Sequence, residues 1–303
     1  AYAVGYIQGT GTYSFGNGVT ATGTYTYSNT VIVKYNGSGA AQWAQTVSAG
    51  TNGSGFAGVT VDGSGNAYAV GFIFGTGTYG FGNGVTATGA APSYNTVIVK
   101  YNASGAAQWA QTLTSGTSYA QFSGVTVDTS GNAYAVGYIH GTVTYGFGNG
   151  VAATGTSTNY NTVIVKYNGS GTAQWARTLT GGTSNAQFNG VTVDASGNTY
   201  AVGYIQGSGT YGLGNGVTAT GPSTGYNTVI VKYNASGAAQ WAQTLTGGTG
   251  DSNFYGVTVD TSGNTYAVGY IQGFGTYGFG NSVTATGTSL TGYNTVIVKY
   301  LAH

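Results

Sequence analysis

Short runs in which apolar and polar residues alternate dominate the chain, and they predict β-strands. Val59 and Val61 lie on one face of a GVTVD segment, and Tyr68, Val70 and Phe72 share one face of the AYAVGFIFG segment that follows. The VIVKY segments are apolar on both faces, which indicates strands sandwiched between layers. AAQWAQT is the fourth predicted strand. Glu is absent, Leu is rare and no 3.6-residue period persists, so no helix is predicted.

Turn sequences separate these strands. The DGSGN segment at 62–66 combines Asp, Ser, Gly and Asn, and a YNGSG or YNASG segment precedes each AAQWAQT. Between the second and third strands lies a segment such as TYSFGNGVTATG, whose central Gly-Asn-Gly predicts an inserted hairpin. The unit therefore contains four main strands and one additional hairpin.

The same unit recurs along the whole chain. A YAVG motif starts every 66 residues, at Tyr2, Tyr68, Tyr134, Tyr200 and Tyr266. The lysine of VIVKY keeps the same spacing at Lys34, Lys100, Lys166 and Lys232, and Lys299 follows after one inserted residue. Such regularity is typical of a repeat architecture in which one supersecondary unit is used several times.

Four strands per unit with both faces apolar predict an all-β fold, a repeat β-propeller of about five blades of ~66 residues. Each blade has four strands plus the inserted hairpin, and the first and last blades are incomplete. We expect a single domain over 1–303, with units at 1–57, 58–123, 124–189, 190–255 and 256–303. A flat solenoid is the alternative, but solenoid coils are usually shorter, at ~20–30 residues.

The run GVTVDxSGNxYAVGY, followed by NTVIVKYNxSG and a tryptophan strand, resembles the SBBP-type β-propeller repeat of bacterial secreted proteins. The residues that carry the resemblance in the third unit are Asp128, Gly131, Asn132, Tyr134, Gly137, Lys166 and Gly171. The resemblance covers essentially the whole chain and implies a propeller fold and an extracellular or cell-surface location. It implies almost nothing about activity.

The strand types are unequal in number. The chain has five YAVG and five VIVKY segments but four GVTVD and four QWA segments, so the first unit lacks its opening strand and the fifth lacks its closing one. Unpaired strand edges are templates for association. Either the natural protein continues beyond this segment, or the edges meet another chain. The start in mid-repeat without Met also suggests a segment processed from a longer precursor.

The composition argues against several classes of function. Charged residues are only 4% of the chain and the net charge is +1, so no basic patch is available for nucleic acid. No apolar run approaches the ~20 residues of a membrane-spanning helix. Cys and Glu are absent and only two histidines occur, which leaves no set of residues for acid, base or nucleophilic catalysis. We therefore expect no enzyme activity and no cofactor.

Two repeated charged residues have alternative interpretations. The aspartate of VDxSGN could bind calcium, but one carboxylate per loop is few for a site of six to eight oxygens, and an Asx-type turn is the simpler interpretation. The repeated lysines could form an anion-binding ring. Alternatively, each lysine extends over a blade surface and pairs with a repeated aspartate.

Aromatic residues of the inserted hairpin, each beside an asparagine, are the candidate ligand-binding residues, because aromatic faces and amides suit glycan recognition. The predicted residues are Tyr13, Phe15, Asn17, Tyr79, Phe81, Asn83, Tyr145, Phe147, Asn149, Tyr211, Asn215, Tyr277, Phe279 and Asn281, with Leu213 replacing the second aromatic residue in the fourth unit. The alternative is that the hairpins only cap the blades or pack together. The QWA tryptophans are expected to pack between blades.

Two hypotheses follow. The first is a structural or adhesive protein at a bacterial cell surface, self-associating through its open edges, because sparse charge weakens repulsion between copies. The second is a lectin-like module with several equivalent glycan sites on its loop face.

Overall fold

In the computed structural model, which describes residues 1–302, every helix or strand element is a β-strand. The first repeat contains β1 (Tyr2–Gln8), β2 (Thr12–Ser14), β3 (Thr20–Thr22), β4 (Ser28–Tyr35) and β5 (Ala41–Thr46). The second contains β6 (Ser54–Val61), β7 (Ala67–Phe74), β8 (Thr78–Gly80), β9 (Thr86–Thr88), β10 (Tyr94–Tyr101) and β11 (Ala107–Thr112). The third contains β12 (Ala120–Val127), β13 (Ala133–His140), β14 (Thr144–Gly148), β15 (Val151–Thr154), β16 (Tyr160–Tyr167) and β17 (Ala173–Thr178). The fourth contains β18 (Ala186–Val193), β19 (Thr199–Gln206), β20 (Thr210–Gly214), β21 (Val217–Thr220), β22 (Tyr226–Tyr233) and β23 (Ala239–Thr244). The fifth contains β24 (Ser252–Val259), β25 (Thr265–Gln272), β26 (Gly275–Gly278), β27 (Thr284–Gly287) and β28 (Tyr293–Tyr300).

Each complete repeat forms one four-stranded sheet and one separate two-stranded hairpin. The strand orders are β6-β7-β10-β11, β12-β13-β16-β17 and β18-β19-β22-β23, while the first sheet is β1-β4-β5 and the fifth is β24-β25-β28. Pairing is antiparallel in the first, second, fourth and fifth sheets. The predicted all-β repeat of four strands plus a hairpin is therefore confirmed, including the incomplete first and fifth sheets.

The described chain divides into two compact units. One comprises Ala1–Ala135, Val143–Ala152 and Lys166–Gln174, and the other comprises Val136–Thr142, Ala153–Val165 and the described residues from 175 onward.

The VIVKY strands of the first four repeats are deeply buried. Val97, Ile98 and Val99 of β10 are fully buried, as expected for a strand with apolar residues on both faces. Ile32 of the first sheet lies in the same apolar cluster as Val99 and Ala69 of the second. Because full burial of a valine or isoleucine side chain contributes about 1.5–3 kcal/mol, contact between successive sheets is a main source of stability.

Glycine at the start of the GVTVD segments of the second and fourth repeats allows each of these repeats to come close to the one that follows it. A Cβ atom on Gly58 would lie 2.9 Å from the backbone oxygen of Ser123, and one on Gly190 would lie 2.6 Å from that of Tyr255. Pairing of the surrounding strand shifts register at the same place, between Phe56 and Gly58. At Gly58 and Gly190, the opening strand therefore lies close enough to the following repeat to exclude any side chain.

Candidate binding surfaces

The repeated aspartates close the VDxSGN turns. Oδ1 of Asp62 accepts hydrogen bonds from the backbone N–H groups of Ser64 and Asn66, and Oδ2 accepts from Nδ2 of Asn66 and the hydroxyl of Tyr68. Burial raises the pKa of Asp62, but the hydrogen bonds outweigh burial and leave that pKa lowered. These contacts form the Asx-type turn, and each carboxylate is already fully engaged with its own loop.

The same arrangement recurs in the later turns. Asp128, Asp194 and Asp260 accept the equivalent hydrogen bonds from the residues two, four and six positions further on. Within residues 1–302, no three His, Cys, Asp or Glu side chains come together as a metal-binding group.

The lysines and tryptophans of one repeat contact the YNxSG turn of the next. Nζ of Lys34 lies 2.9 Å from the carbonyl oxygen of Ala103, and the indole Nε1 of Trp43 donates to that same oxygen at 3.1 Å. Nζ of Lys34 also lies over the ring of Tyr2, 5.6 Å from its centroid. The partner of this lysine is therefore a backbone carbonyl and a tyrosine face of the protein itself, where the sequence had suggested an aspartate or a bound anion.

This contact is repeated along the chain. Lys100 and Trp109 both donate to the carbonyl oxygen of Gly169, and Trp175 donates to that of Ala235. Arg177 adds bonds to the same turn, from Nε to Gly237 and from one terminal nitrogen to Ser236. The tryptophans thus pack between repeats, as expected, and join each sheet to the next turn.

The aromatic residues of the hairpins in the second to fifth repeats are buried, whereas the sequence predicted that they would be exposed. The buried members of the predicted set are Tyr79, Phe81, Tyr145, Phe147, Tyr211, Leu213, Tyr277 and Phe279. Tyr79 packs so closely on the loop of the preceding repeat that a Cβ atom on Gly50 would lie 2.9 Å from its ring. Its hydroxyl donates to the carbonyl oxygen of Phe74 at 2.7 Å, and burial raises its pKa to about 12.

The first hairpin differs because its tyrosine is partly open. Tyr13 is 39% exposed and Phe15 is half-buried, although the Tyr13 hydroxyl makes the usual bond, to the carbonyl oxygen of Gln8. No aromatic face of the four later hairpins is open in the way that stacking on a sugar requires. The geometry therefore favours the packing interpretation of these residues over the glycan interpretation.

The hairpin asparagines have a backbone role. Asn17, Asn83, Asn149, Asn215 and Asn281 all adopt the left-handed conformation, with φ between 50° and 53°. In the first four repeats Nδ2 donates to the first alanine of the QWA strand, at Ala41, Ala107, Ala173 and Ala239. The predicted Gly-Asn-Gly turn is thus confirmed, and its amide holds the hairpin against the sheet.

A row of paired tyrosines is the feature that the sequence analysis missed. Ring centroids lie 4.4 Å apart for Tyr204 and Tyr226, and 4.5 Å apart for Tyr270 and Tyr293. Burial raises the pKa of Tyr204, and the neighbouring Tyr226, Tyr160, Tyr138 and Tyr270 raise it further. The signal was present in the sequence, because a second tyrosine follows YAVG and another precedes NTVIV in the same repeats. Alternation along one strand does not show that the two positions meet.

One face of the fifth sheet is an open apolar surface, which we call the end face and define by Tyr255, Val268, Tyr293 and Ile297. Val268 and Ile297 lie opposite each other on β25 and β28 and are 41% and 68% exposed. Tyr255 and Tyr293 are also largely exposed. Large exposed apolar patches on soluble proteins mark interaction sites.

No protein-family model and no curated protein matches this chain. Across the described residues, no helix has the length and apolar character needed to cross a membrane.

Proposed function

We propose that this chain is a non-enzymatic structural or adhesive repeat protein of the bacterial cell surface, whose copies associate through the end face. The observation that carries the proposal is the exposure of two residues whose equivalents are covered in the preceding repeat. Val202 and Ile230 are opposite each other in the fourth sheet and are 0% exposed, whereas Val268 and Ile297 are 41% and 68% exposed.

The fourth sheet indicates what would cover the end face. Val202 and Ile230 lie in one apolar cluster with Ala267 and Val296 of the following sheet. A second copy offers the same residue types at the equivalent positions of its first sheet, where Ala3 is exposed. Contact of the fifth sheet of one copy with the first sheet of another uses two different surfaces and is heterologous, so it adds copies in a row or closes a ring.

The free energies involved predict weak and concentration-dependent association. Covering Val268 and Ile297 would contribute a few kcal/mol at about 1.5–3 kcal/mol for each full side chain, and association costs about 4 kcal/mol or more. The net charge of only +1 gives little repulsion between copies.

We also propose that the fold is a propeller and that the protein is secreted or lies at the cell surface. Four-stranded sheets whose faces are covered by the next sheet support a propeller in which each sheet is one blade. The resemblance to SBBP-type repeats supports a secreted or cell-surface location in a bacterium.

Sedimentation velocity over a wide concentration range tests the association. We expect Val268→Lys to weaken association by about tenfold or more, because the charge cannot be covered by an apolar face. Thr218→Lys is the matched control, since it adds the same charge at an exposed position of an interior hairpin. A monomer at every concentration, or equal effects of the two variants, would exclude the end face as the contact.

A further inference from the structure

The edge of the fifth sheet repeats a pairing surface that is occupied elsewhere in the chain. In the second repeat, Ile98 faces Gln111, Val99 faces Ala110 and Lys100 faces Trp109. The first and fourth repeats keep this register between the VIVKY strand and the QWA strand. In the fifth sheet β28 has the identical sequence YNTVIVKY but stands at the edge, because the strand order is β24-β25-β28.

A groove lies beside this edge, with a volume of about 130 Å³. We call it the edge groove, and it is lined mainly by Trp241, Phe279, Asn281, Val283, Lys299 and Tyr300. Val283 is exposed, whereas its equivalent Val85 in the second repeat packs against an apolar cluster. The groove occupies the place that the QWA strand takes in the other repeats.

Asn281 lies at one end of the position that a QWA strand takes in the other repeats. Its four equivalents donate Nδ2 to the first alanine carbonyl of a QWA strand, as Asn215 does to Ala239 at 2.9 Å. Asn281 keeps the same left-handed backbone, with φ of 50°, but no acceptor for its amide is found among residues 1–302. A donor is thus held in the position where a strand carbonyl is bound in every other repeat.

Trp241 places a second requirement on any strand that fills the edge groove. In the preceding repeat the ring of Trp175 is covered by Gly237 of the next YNxSG turn, so closely that a Cβ atom on that glycine would lie 2.7 Å from the ring. Gly237 has φ of +79°, a conformation that favours glycine. A strand that fills the edge groove must therefore carry a glycine four residues before its own tryptophan, as the segment Gly237 to Trp241 does.

We propose that the edge groove is a β-strand acceptor site that binds a Gly-Ala-Ala-Gln-Trp-Ala-Gln-Thr segment from another copy of this repeat as a fourth strand. The register of the other sheets places the Trp of the segment opposite Lys299, its second Ala-Gln pair opposite Val298 and Ile297, and its Thr opposite Val296. Main-chain pairing provides affinity, while the glycine and Asn281 provide specificity. This site uses the edge of the fifth sheet, whereas the association proposed above uses its face, so either can fail alone.

Fluorescence anisotropy with a labelled synthetic peptide tests the site on the intact chain. The peptide is Ala-Ser-Gly-Ala-Ala-Gln-Trp-Ala-Gln-Thr-Leu-Thr, the sequence of residues 235–246. We expect saturable binding that is lost with a scrambled peptide. Replacing the peptide glycine by alanine is expected to weaken binding by about tenfold or more, because the added Cβ meets the ring of Trp241 and the positive φ is strained.

A pair of chain variants checks the location. Asn281→Gly removes the amide but keeps the left-handed turn, and it is expected to weaken peptide binding by about three- to tenfold, the value of one hydrogen bond. Asn215→Gly makes the same change in the fourth repeat, where the amide binds the chain's own strand, and it should leave peptide affinity unchanged. Val268→Lys should also leave it unchanged, which separates this site from the end face.

Three anisotropy results would overturn the proposal: no saturable binding, equal binding of the scrambled peptide, or equal effects of Asn281→Gly and Asn215→Gly. Amide hydrogen exchange gives a second readout, since the bound peptide should slow exchange within residues 296–300 of β28. Unchanged exchange there with saturable anisotropy would place the peptide elsewhere and would also exclude the edge groove.

Discussion

The indole Nε1 of Trp109 donates a hydrogen bond to the carbonyl oxygen of Gly169 at 3.1 Å, and these residues are 60 positions apart. Trp109 belongs to the last strand of the second sheet, and Gly169 belongs to the turn before the last strand of the third. The same oxygen accepts from Lys100. One carbonyl of each turn thus ties a sheet to the repeat that follows it.

Replacing this tryptophan should weaken the contact between repeats. Trp109→Phe keeps an aromatic ring but removes the Nε1 donor, and we expect the free energy of unfolding to fall by about 1–2 kcal/mol from the lost hydrogen bond and lost area. Urea unfolding followed by circular dichroism measures the change. Gln108→Ala, at the exposed neighbouring position, should change stability by much less. Equal losses for both variants would contradict the assigned role of Trp109.

The turn that receives the tryptophan contains a matched pair of glycines. Gly171 has φ of +84° and a Cβ atom there would lie 2.7 Å from the ring of Trp109, while Gly169 lacks a positive φ and its nearest such contact is 3.6 Å. We expect Gly171→Ala to destabilise the fold by about 1–3 kcal/mol and Gly169→Ala to be nearly neutral. Thermal unfolding of the two variants is the measurement. Alanine already occupies the position of Gly169 in two other repeats, at Ala103 and Ala235. Similar melting temperatures for both variants would refute the close packing.

Acid should weaken the fold through the repeated turns. Burial raises the pKa of Asp128, but hydrogen bonds from Asn132, Tyr134 and Ser130 outweigh it, so that pKa is below its ordinary value of 3.8. A lowered pKa in the folded state contributes stability that is present above the unfolded value and is lost as pH falls through the folded one. We therefore expect the free energy of unfolding to decrease below about pH 4. Urea midpoints across this range measure the effect, and Asn132→Ala should reduce it. A midpoint that stays constant down to about pH 2 would contradict the prediction.

High pH should also weaken the fold, in this case through the buried tyrosines. Burial raises the pKa of Tyr79 and of Tyr200 to about 12, so both phenols stay protonated in the folded state above the unfolded value of 10. Their stabilisation is complete below about pH 10 and is lost as pH rises towards the folded pKa. Absorbance of the phenolate should therefore show a late group of tyrosines that titrate together with unfolding. Tyr79→Phe should make that group smaller. Titration of every tyrosine near pH 10 without unfolding would rule this out.

The strands and turns could be predicted because their causes are local. Period-two alternation around Val59 and Val61 and the turn chemistry at Asp62 act within a few residues. The inserted hairpin followed from its Gly-Asn-Gly sequence, and the observed left-handed asparagines agree. Repetition then extended each local prediction to the whole chain.

The exposure of the candidate residues could not be predicted in this way. The hairpin aromatic residue Tyr145 is buried because its ring packs against Gly116, a loop glycine of the preceding repeat. Likewise, Lys100 finds its acceptor 69 positions later, at Gly169. The spacing of a repeat shows which residues are equivalent, but it does not show which position of one repeat faces which position of its neighbour.

The bonds from each tryptophan to the turn of the next repeat have a consequence for how such a gene can change. Each of these bonds joins one repeat only to its immediate neighbour, as Trp43 reaches Ala103 and Trp175 reaches Ala235. Unequal recombination between two copies of the repeat would add or delete whole repeats while recreating the same neighbour contacts at the new junction. The tryptophan contacts by themselves therefore set no fixed number of repeats.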